Sequence, residues 1–368
     1  MELNDQQQQV VRDLSQPILL NAPAGTGKTR VLACRVAHIL ETKAAEGAQI
    51  LCLTFTNRAC KELKERIVAT AHEKGLDVVV KTIHSFCYSL IKEETKRQSD
   101  CYNDFLLYDD EDCRQLIDNL PASAPGNDTQ ALQNYIEFAK KQRILPDLHD
   151  FTAPKEPLQA WLHDHGDDLV RQYDAILADN HAVDFTDLIT GAYEFLTDDA
   201  CCQRWRDRFR FIAVDEMQDT SEVEYAVISR LFPGRNVLLC GDYFQTIYEW
   251  RGSYPEYILE QFRKAYHPRE ITFTTNYRST QLLLKAGESC LNHLFGQVTV
   301  HHVYPQPGQA AAATPGEPIV IHQANTFLDE SRWIFQELRK LPPKERLKAC
   351  VLVRGNRQAQ QLWTGTQA

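Results

Sequence analysis

The sequence predicts an α/β fold, a parallel sheet built around a phosphate-binding loop and interrupted by a helical insertion. Three observations lead there. Short apolar runs alternate with helical periodicity along much of the chain, the pattern of β-α-β units. A glycine-rich loop follows the first apolar run and opens directly into a helix. From about Ser89 to Ala200 the strand texture gives way to helical periodicity, over a stretch too long for an ordinary crossover.

Taken in order, Ile18-Leu19-Leu20 reads as the first strand, and Asn21 to Thr29 as the loop. A helix follows over Val31 to Leu40. Ile50 to Phe55 is a second buried strand, followed by an amphipathic helix over about Arg58 to Thr70. Val78 to Lys81 is a third, short strand. The helical block then runs without a strong strand candidate, broken by a loop near Pro121 to Gly126. Strands return at Phe211 to Val214, Val237 to Cys240 and Ile271 to Thr274. The Gln, Pro, Gly and Ala residues of Pro305 to Pro315 break the pattern. Beyond them Ile319 to Ile321, a helix around Glu330 to Arg339, and Ala349 to Val353 predict one more β-α-β unit. The expected organisation is a first α/β domain from 1–88 and 184–275, a helical insertion at 89–183, and a partial second α/β domain at 276–368.

At 368 residues, 43% apolar and 24% charged, the chain is an ordinary globular sequence rather than a disordered, collagenous or coiled-coil one. Its formal charge of −10 argues, taken whole, against a generally cationic nucleic-acid binder. The acidity is local, however. Residues 100–200 hold 22 acidic and 6 basic side chains, a net of −16, which leaves +6 for the remainder. The 11 cysteines include no C-x-x-C pair, and Cys34, Cys52, Cys240 and Cys350 lie in apolar runs as expected small core residues. A reducing compartment is expected. Met1 to Val11 lack the basic and apolar regions of a secretory signal, and no apolar run approaches the ~20 residues of a membrane span. The expectation is a soluble cytoplasmic protein with no membrane partner.

Ala22-Pro23-Ala24-Gly25-Thr26-Gly27-Lys28-Thr29 fits a P-loop with Ala at its first position. Gly25 and Gly27 let the backbone wrap phosphate oxygens, and the helix N-terminus attracts the anion. Lys28 would reach the β- and γ-phosphates, and Thr29 would hold Mg²⁺. This loop specifies a nucleoside triphosphate and no more, since kinases, GTPases and transporters share it. Asp215 and Glu216 follow the strand at Phe211 to Val214. Asp215 suits a water-mediated Mg²⁺ contact, and Glu216 suits the base that orients an attacking water. Asp219, before Thr220, reads equally as a helix cap. Phosphoryl transfer to a small acceptor would also suit Asp215, whereas Glu216 favours hydrolysis.

At this point the chain resembles the UvrD/Rep-type superfamily 1 DNA helicases, over nearly its whole length. Leu3-Asn4-Asp5-Gln6-Gln7 resembles the Q motif, and Ala22 to Arg30 resembles motif I. Thr54-Phe55-Thr56-Asn57-Arg58-Ala59 resembles motif Ia, and Thr82-Ile83-His84-Ser85-Phe86 the next DNA-contacting motif. Asp184-Phe185-Thr186-Asp187-Leu188 resembles the segment that re-enters the first domain, and Val214 to Thr220 resembles motif II. Gly241 to Gly252 resembles motif III and Asn276-Tyr277-Arg278-Ser279 motif IV. Their order and spacing are far more specific than any one string.

The resemblance implies a RecA-like P-loop domain, ATP and Mg²⁺ as cofactors, and ATP hydrolysis coupled to single-stranded DNA and its junctions with duplex, with 3′-to-5′ polarity. It also brings DNA repair as an expected setting. Gln7 would meet adenine, and Arg30 and Tyr277 would sandwich it. Gln245 would sense the γ-phosphate, and Arg251 and Arg278 would stabilise its charge. Phe55, Tyr248 and Trp250 would stack bases, at about 1–3 kcal/mol each. Thr54, Asn57, Arg58, His84 and Ser85 would meet the DNA backbone. Plainer roles are weighed beside these: Phe55 as the end of a core strand, Phe86 and Tyr88 as core, and Trp161, Trp205 and Trp333 as packing. Lys140-Lys141-Gln142-Arg143 is expected as a solvated helix face.

Family members are expected to run longer, with a second insertion and two late motifs that have no counterpart before Ala368. The alternative function is therefore a truncated, non-unwinding ATP-binding module for DNA or protein interaction, working with a partner or a missing C-terminal portion. A small-molecule P-loop kinase is disfavoured by motifs III and IV.

Overall fold

The computed structural model describes residues 2–98, 104–120, 124–125, 128–148, 154–242, 245–246, 253–295 and 315–365. The chain divides into two units, residues 1–314 and 315–368.

In the first unit, α1 (Asp5–Arg12) starts at a capping box in which Asn4 and Gln7 satisfy each other's backbone N–H. Next come β1 (Ile18–Asn21), α2 (Lys28–Glu41), β2 (Ile50–Thr54), α3 (Asn57–Ala71), β3 (Val79–Thr82) and α4 (Ile83–Gln98). The insertion contributes β4 (Leu106–Leu107), α5 (Asp110–Asp118), α6 (Thr129–Gln142), α7 (Leu158–Asp179) and β5 (Ala182–Val183). The chain returns through α8 (Phe185–Thr197), α9 (Asp199–Arg208), β6 (Phe211–Val214), α10 (Glu222–Ser229), β7 (Asn236–Gly241), α11 (Pro255–Tyr266), β8 (Arg269–Thr272) and α12 (Gln281–Phe295).

Six of the strands form one sheet in the order β3-β2-β6-β7-β1-β8, and every pairing is parallel. Side chains alternate between its faces. Ile18, Leu20, Ile50 and Cys52 pack on one side with residues of α1, α2 and α3. Leu19, Leu51 and Leu53 pack on the other with residues of α4, α8, α9, α10 and α11. Both faces of the four inner strands are covered, which is why those strands read as continuous apolar runs, while the edge strands β3 and β8 are only partly buried. Phe86 and Trp205 lie in the second of these cores, edge to face at 5.5 Å, and Tyr88 packs against it.

The insertion has a core of its own, built from α5, α6 and α7. It also holds a strand pair the periodicity did not anticipate. Leu106 and Leu107 pair with Ala182 and Val183, and two residues per strand are too short to show alternation. The expected boundary at residue 88 falls inside α4, which runs through it unbroken. Within the basic run Gln142 and Arg143 are exposed as expected, but Lys140 is not part of a solvated face. Lys140 is 1% exposed and reaches Asp184 and Asp187, both at 2.8 Å, and Asp174 at 3.3 Å. A helical period cannot reveal that three carboxylates from α7, the start of α8 and its cap converge on one lysine.

The second unit contains α13 (Phe327–Lys340), α14 (Pro343–Arg346) and α15 (Asn356–Gly365). The helix expected at Glu330 to Arg339 is present. The strands expected at Ile319 to Ile321 and Ala349 to Val353 join no ladder among the described residues. Ile321 is 92% and Leu352 90% exposed, and Cys350 is exposed rather than core. A parallel strand needs a hydrogen-bonded neighbour and cover on both faces, and the described residues of this unit supply neither. Trp333 packs as expected, its ring stacked on His322 at 4.4 Å. The described cysteines are all free thiols. No helix among the described residues is long and apolar enough to cross a membrane.

Candidate nucleotide and nucleic-acid site

The C-terminal ends of β1, β7 and β6 lie side by side in the sheet, and the loops that leave them form the site. After β1, Gly25 and Gly27 adopt φ of 84° and 86°, the left-handed region that side chains resist. A Cβ on Gly25 would lie 2.7 Å from Asn276 Oδ1 and 2.8 Å from Arg278 Cβ, so the loop also needs glycine for room. Gly27 caps α2 without a side-chain hydrogen bond. The first-turn N–H groups of α2 are therefore available to an anion.

Two distant segments brace this loop. Gln7 is 2% exposed and donates Nε2 to Thr26 O at 2.9 Å, while its Oε1 accepts from Asn4 N. The amide expected on adenine is thus engaged with the phosphate loop. Asn276 donates to Ala24 O at 2.6 Å, Tyr277 N donates to Gly25 O at 2.8 Å, and Asn4 donates to the Tyr277 hydroxyl at 2.9 Å. These bonds bring Gln7, residues 22–29, Tyr277 and Arg278 together across the length of the first unit.

Lys28 points at the carboxylates beyond β6. Its Nζ lies 2.5 Å from Glu216 Oε2 and 3.3 Å from Asp215 Oδ1. Burial opposes the ammonium charge, but Asp215 and Glu216 outweigh it and hold Lys28 above its usual range. Burial pushes the fully enclosed Asp215 upward against the pull of Lys28. Burial would raise Glu216 too, but Lys28 overrides it and keeps Glu216 low. Glu216 also carries a strained backbone, with φ 55° and ψ 42° in a non-glycine residue. Such strain persists only where the surroundings enforce it, and it collects at functional sites. Asp219 does not cap α10, because Ser221 does so with Glu224. Burial and the neighbouring Glu216 hold Asp219 up to about 6.

Three residues were given no role in the sequence reading. Asn276 has just been described. Gln218, 2% exposed, donates to Glu216 Oε2 at 2.7 Å and accepts from Asp242 N at 3.0 Å. Asp242 in turn accepts from Ala24 N at 2.8 Å. All three lie in the segments that follow strands, Asp242 directly after β7, and each has a partner distant in sequence.

The expected nucleic-acid residues lie near the ends of β2 and β3. Thr54 is 1% exposed, with its hydroxyl on Thr56 O at 3.2 Å and beside Cys60 Sγ at 3.3 Å. Phe55 is half-buried, and Asn57 and Arg58 are exposed at the start of α3. Arg58 pairs with Glu62 at 2.9 Å. Ser85 exchanges hydrogen bonds with Thr82 at the start of α4. His84 lies 3.5 Å from Glu224 and edge-on to Phe185. Gln245 is exposed, its backbone N–H donated to Asp242 O at 3.0 Å. Tyr248, Trp250 and Arg251 lie outside the described residues.

The donor chemistry fits Mg²⁺ shared with a phosphate. Among the described residues no cluster of three or more His, Cys, Asp or Glu side chains is arranged to hold a metal by itself. A hydroxyl at Thr29 and one carboxylate at Asp215, completed by phosphate oxygens, is the sparse oxygen set Mg²⁺ accepts.

Sequence comparison agrees with this geometry. The UvrD/REP helicase N-terminal domain matches residues 3–267, and the UvrD-like helicase C-terminal domain matches residues 271–367. The chain is 32% identical over 360 residues to the ATP-dependent DNA helicase UvrD1 of Mycobacterium tuberculosis, covering 92% of this chain and 44% of that protein. It is 29% identical over 369 residues to the ATP-dependent DNA helicase PcrA of Staphylococcus epidermidis, covering 98% of this chain and 49% of that protein. It is also 29% identical to a probable DNA helicase II homologue of Mycoplasma capricolum, with 92% and 46% covered. The chain thus spans about half the length of the curated relatives it matches.

Proposed function

The chain belongs to the UvrD/Rep helicase family, and from that premise we propose that it binds and hydrolyses ATP in response to single-stranded DNA, as the ATP-binding part of a 3′-to-5′ DNA translocase. One observation carries this reading. Lys28, at the mouth of a helix N-terminus, is paired to two carboxylates beyond the end of β6.

The chain's own groups divide the work. The backbone N–H groups of residues 25–29 take phosphate oxygens, and Lys28 neutralises the charge that builds on the leaving group. Thr29 and Asp215 would hold Mg²⁺, which when bound offsets phosphate charge. Glu216 accepts the proton of the attacking water. Phosphate oxygens compete with Glu216 for the Lys28 ammonium, which weakens that pair and leaves Glu216 freer to polarise water. Arg278, beside Gly25, and Arg251 are assigned to the γ-phosphate, and Gln245 to sensing its loss. Arg30 and Tyr277 are assigned to adenine. On the DNA side, Phe55, Tyr248 and Trp250 take base faces, while Asn57, Arg58, His84 and Ser85 take the backbone.

Residues 1–88 and 184–275 act in this reading as the motor domain, 89–183 as an insertion and 276–368 as part of a second motor domain. The whole works in the cytoplasm on single strands and junctions. The test is ATP turnover by the purified chain with and without an oligothymidylate, with Lys28→Ala as reference. Stimulation in the wild type and its loss in the variant are expected. Unstimulated turnover, or turnover unaffected by Lys28→Ala, overturns the reading.

A further inference from the structure

We propose that Gln218 is a positioning residue that holds Glu216 in its working orientation and ties that orientation to the end of β7 and to the phosphate loop. The inference rests on the ATP-hydrolysing reading above. Glu216 occupies a strained backbone conformation, so its carboxylate is not oriented by local preference. Two side chains hold it, Lys28 at 2.5 Å and Gln218 at 2.7 Å, both on Oε2. Lys28 is the group that phosphate oxygens claim. Gln218, buried and uncharged, is the contact that lies outside that competition.

The amide is suited to this by having a donor at one end and an acceptor at the other. Nε2 donates to Glu216, and Oε1 accepts from Asp242 N at 3.0 Å. The side chain is buried, so neither end can exchange its partner for water at low cost. The fold makes room for it. A Cβ on Gly241 would collide with Gln218 Oε1, although Gly241 has no positive φ to explain a glycine. The chain of contacts then continues. The Asp242 carboxylate accepts from Ala24 N, and its carbonyl accepts from Gln245 N. One unbroken path, Glu216 to Gln218 to Asp242, therefore joins the water-activating carboxylate to the phosphate loop and to the segment that carries Gln245.

The chemistry of residue 218 separates positioning from plain structural support. Gln218→Glu keeps an acceptor for Asp242 N but loses the donor to Glu216. Gln218→Met loses both. If Gln218 orients Glu216, both variants lower kcat by about tenfold or more, the range of general-base assistance, with the affinity for a fluorescent ATP analogue unchanged within about threefold. If it serves only to tie down the end of β7, Gln218→Met lowers the urea-unfolding midpoint while the folded variant keeps the wild-type kcat, and the proposal fails. A fall in nucleotide affinity that accounts for the whole loss also overturns it.

A second measurement does not depend on turnover. The Gln218 side-chain amide protons, assigned in NMR spectra by their loss in Gln218→Glu, are expected to be protected from solvent exchange and to lose protection in Glu216→Ala. Fast exchange in the wild type refutes the positioning contact whatever the enzyme does. Protected amide protons in a chain that hydrolyses no ATP would instead sink the proposed function and leave the contact standing.

Discussion

Lys140→Met should loosen the insertion and its junction with α8 far more than a surface lysine would. The ammonium is 1% exposed, contacts Asp184 and Asp187 at 2.8 Å and Asp174 at 3.3 Å, and lies 4.7 Å from the Tyr173 ring centroid. Methionine keeps most of the stem packing but strands the carboxylates. Arg143 still reaches Asp174, and the Tyr173 hydroxyl still donates to Asp184. Breaking a buried ion pair from one side costs about 3–5 kcal/mol. At 1.4 kcal/mol per decade, 3 kcal/mol makes local opening about a hundredfold more frequent. Hydrogen exchange of peptides from α6, α7 and α8 reads this directly. The effect is pH-dependent. Burial, then the Asp184 charge, raises Asp187 to about 6 against the opposing pull of Lys140. An acid with a raised folded pKa contributes stability below its unfolded value and loses it as pH rises through the folded one. In the wild type, Asp187 therefore costs stability between about 4 and 6, by at most about 3 kcal/mol. Without Lys140 the same carboxyl protonates more readily. The ratio of variant to wild-type exchange should then be largest at pH 8 and shrink at pH 5.5. A ratio below about tenfold at pH 8, or one independent of pH, refutes the reasoning.

Three further outcomes are expected. Glu216→Gln should leave ATP-analogue and oligothymidylate affinities within about threefold while turnover falls by about 10²–10⁴, as for loss of a general base; equal losses in binding and turnover would contradict the role. Gly25→Ala should push the loop off Asn276 and cost about 1–3 kcal/mol in urea unfolding, because both φ and space forbid a Cβ; an unchanged midpoint would contradict the bracing. Trp250→Ala should weaken single-stranded DNA binding by about 1–3 kcal/mol in fluorescence anisotropy titrations, with ATP-analogue affinity retained; loss of the folded state instead would assign Trp250 to the core.

The four inner strands of the sheet were legible because both of their faces are buried, so each apolar run declares itself, whereas the edge strand β8, expected at Ile271 to Thr274, lies at Arg269–Thr272 and is mostly exposed. The phosphate loop and the Asp215-Glu216 pair were legible for a related reason. Glycines at forced dihedrals and carboxylates at a strand end leave a local mark. The two-residue strands of the insertion were not legible, since a pair that short has no period. Nor was the missing ladder around Ile319 and Val351. Apolar composition gives a segment the ability to pair and not the neighbour to pair with.

What the sequence determined by itself is the set of local conformations: a glycine loop that opens into a helix N-terminus, paired carboxylates after a buried strand, and the apolar runs of the inner strands. Tertiary structure alone decided which long-range partner each polar side chain received. It turned Gln7 and Asn276 onto the phosphate loop, drew Thr54 inward, buried Lys140 among three aspartates, and ran Gln218 between Glu216 and Asp242. Most of these contacts join residues distant in sequence, and buried polar groups are stable largely where they find partners. Periodicity and motif spacing report which groups must be satisfied. Only the packed sheet determines by what.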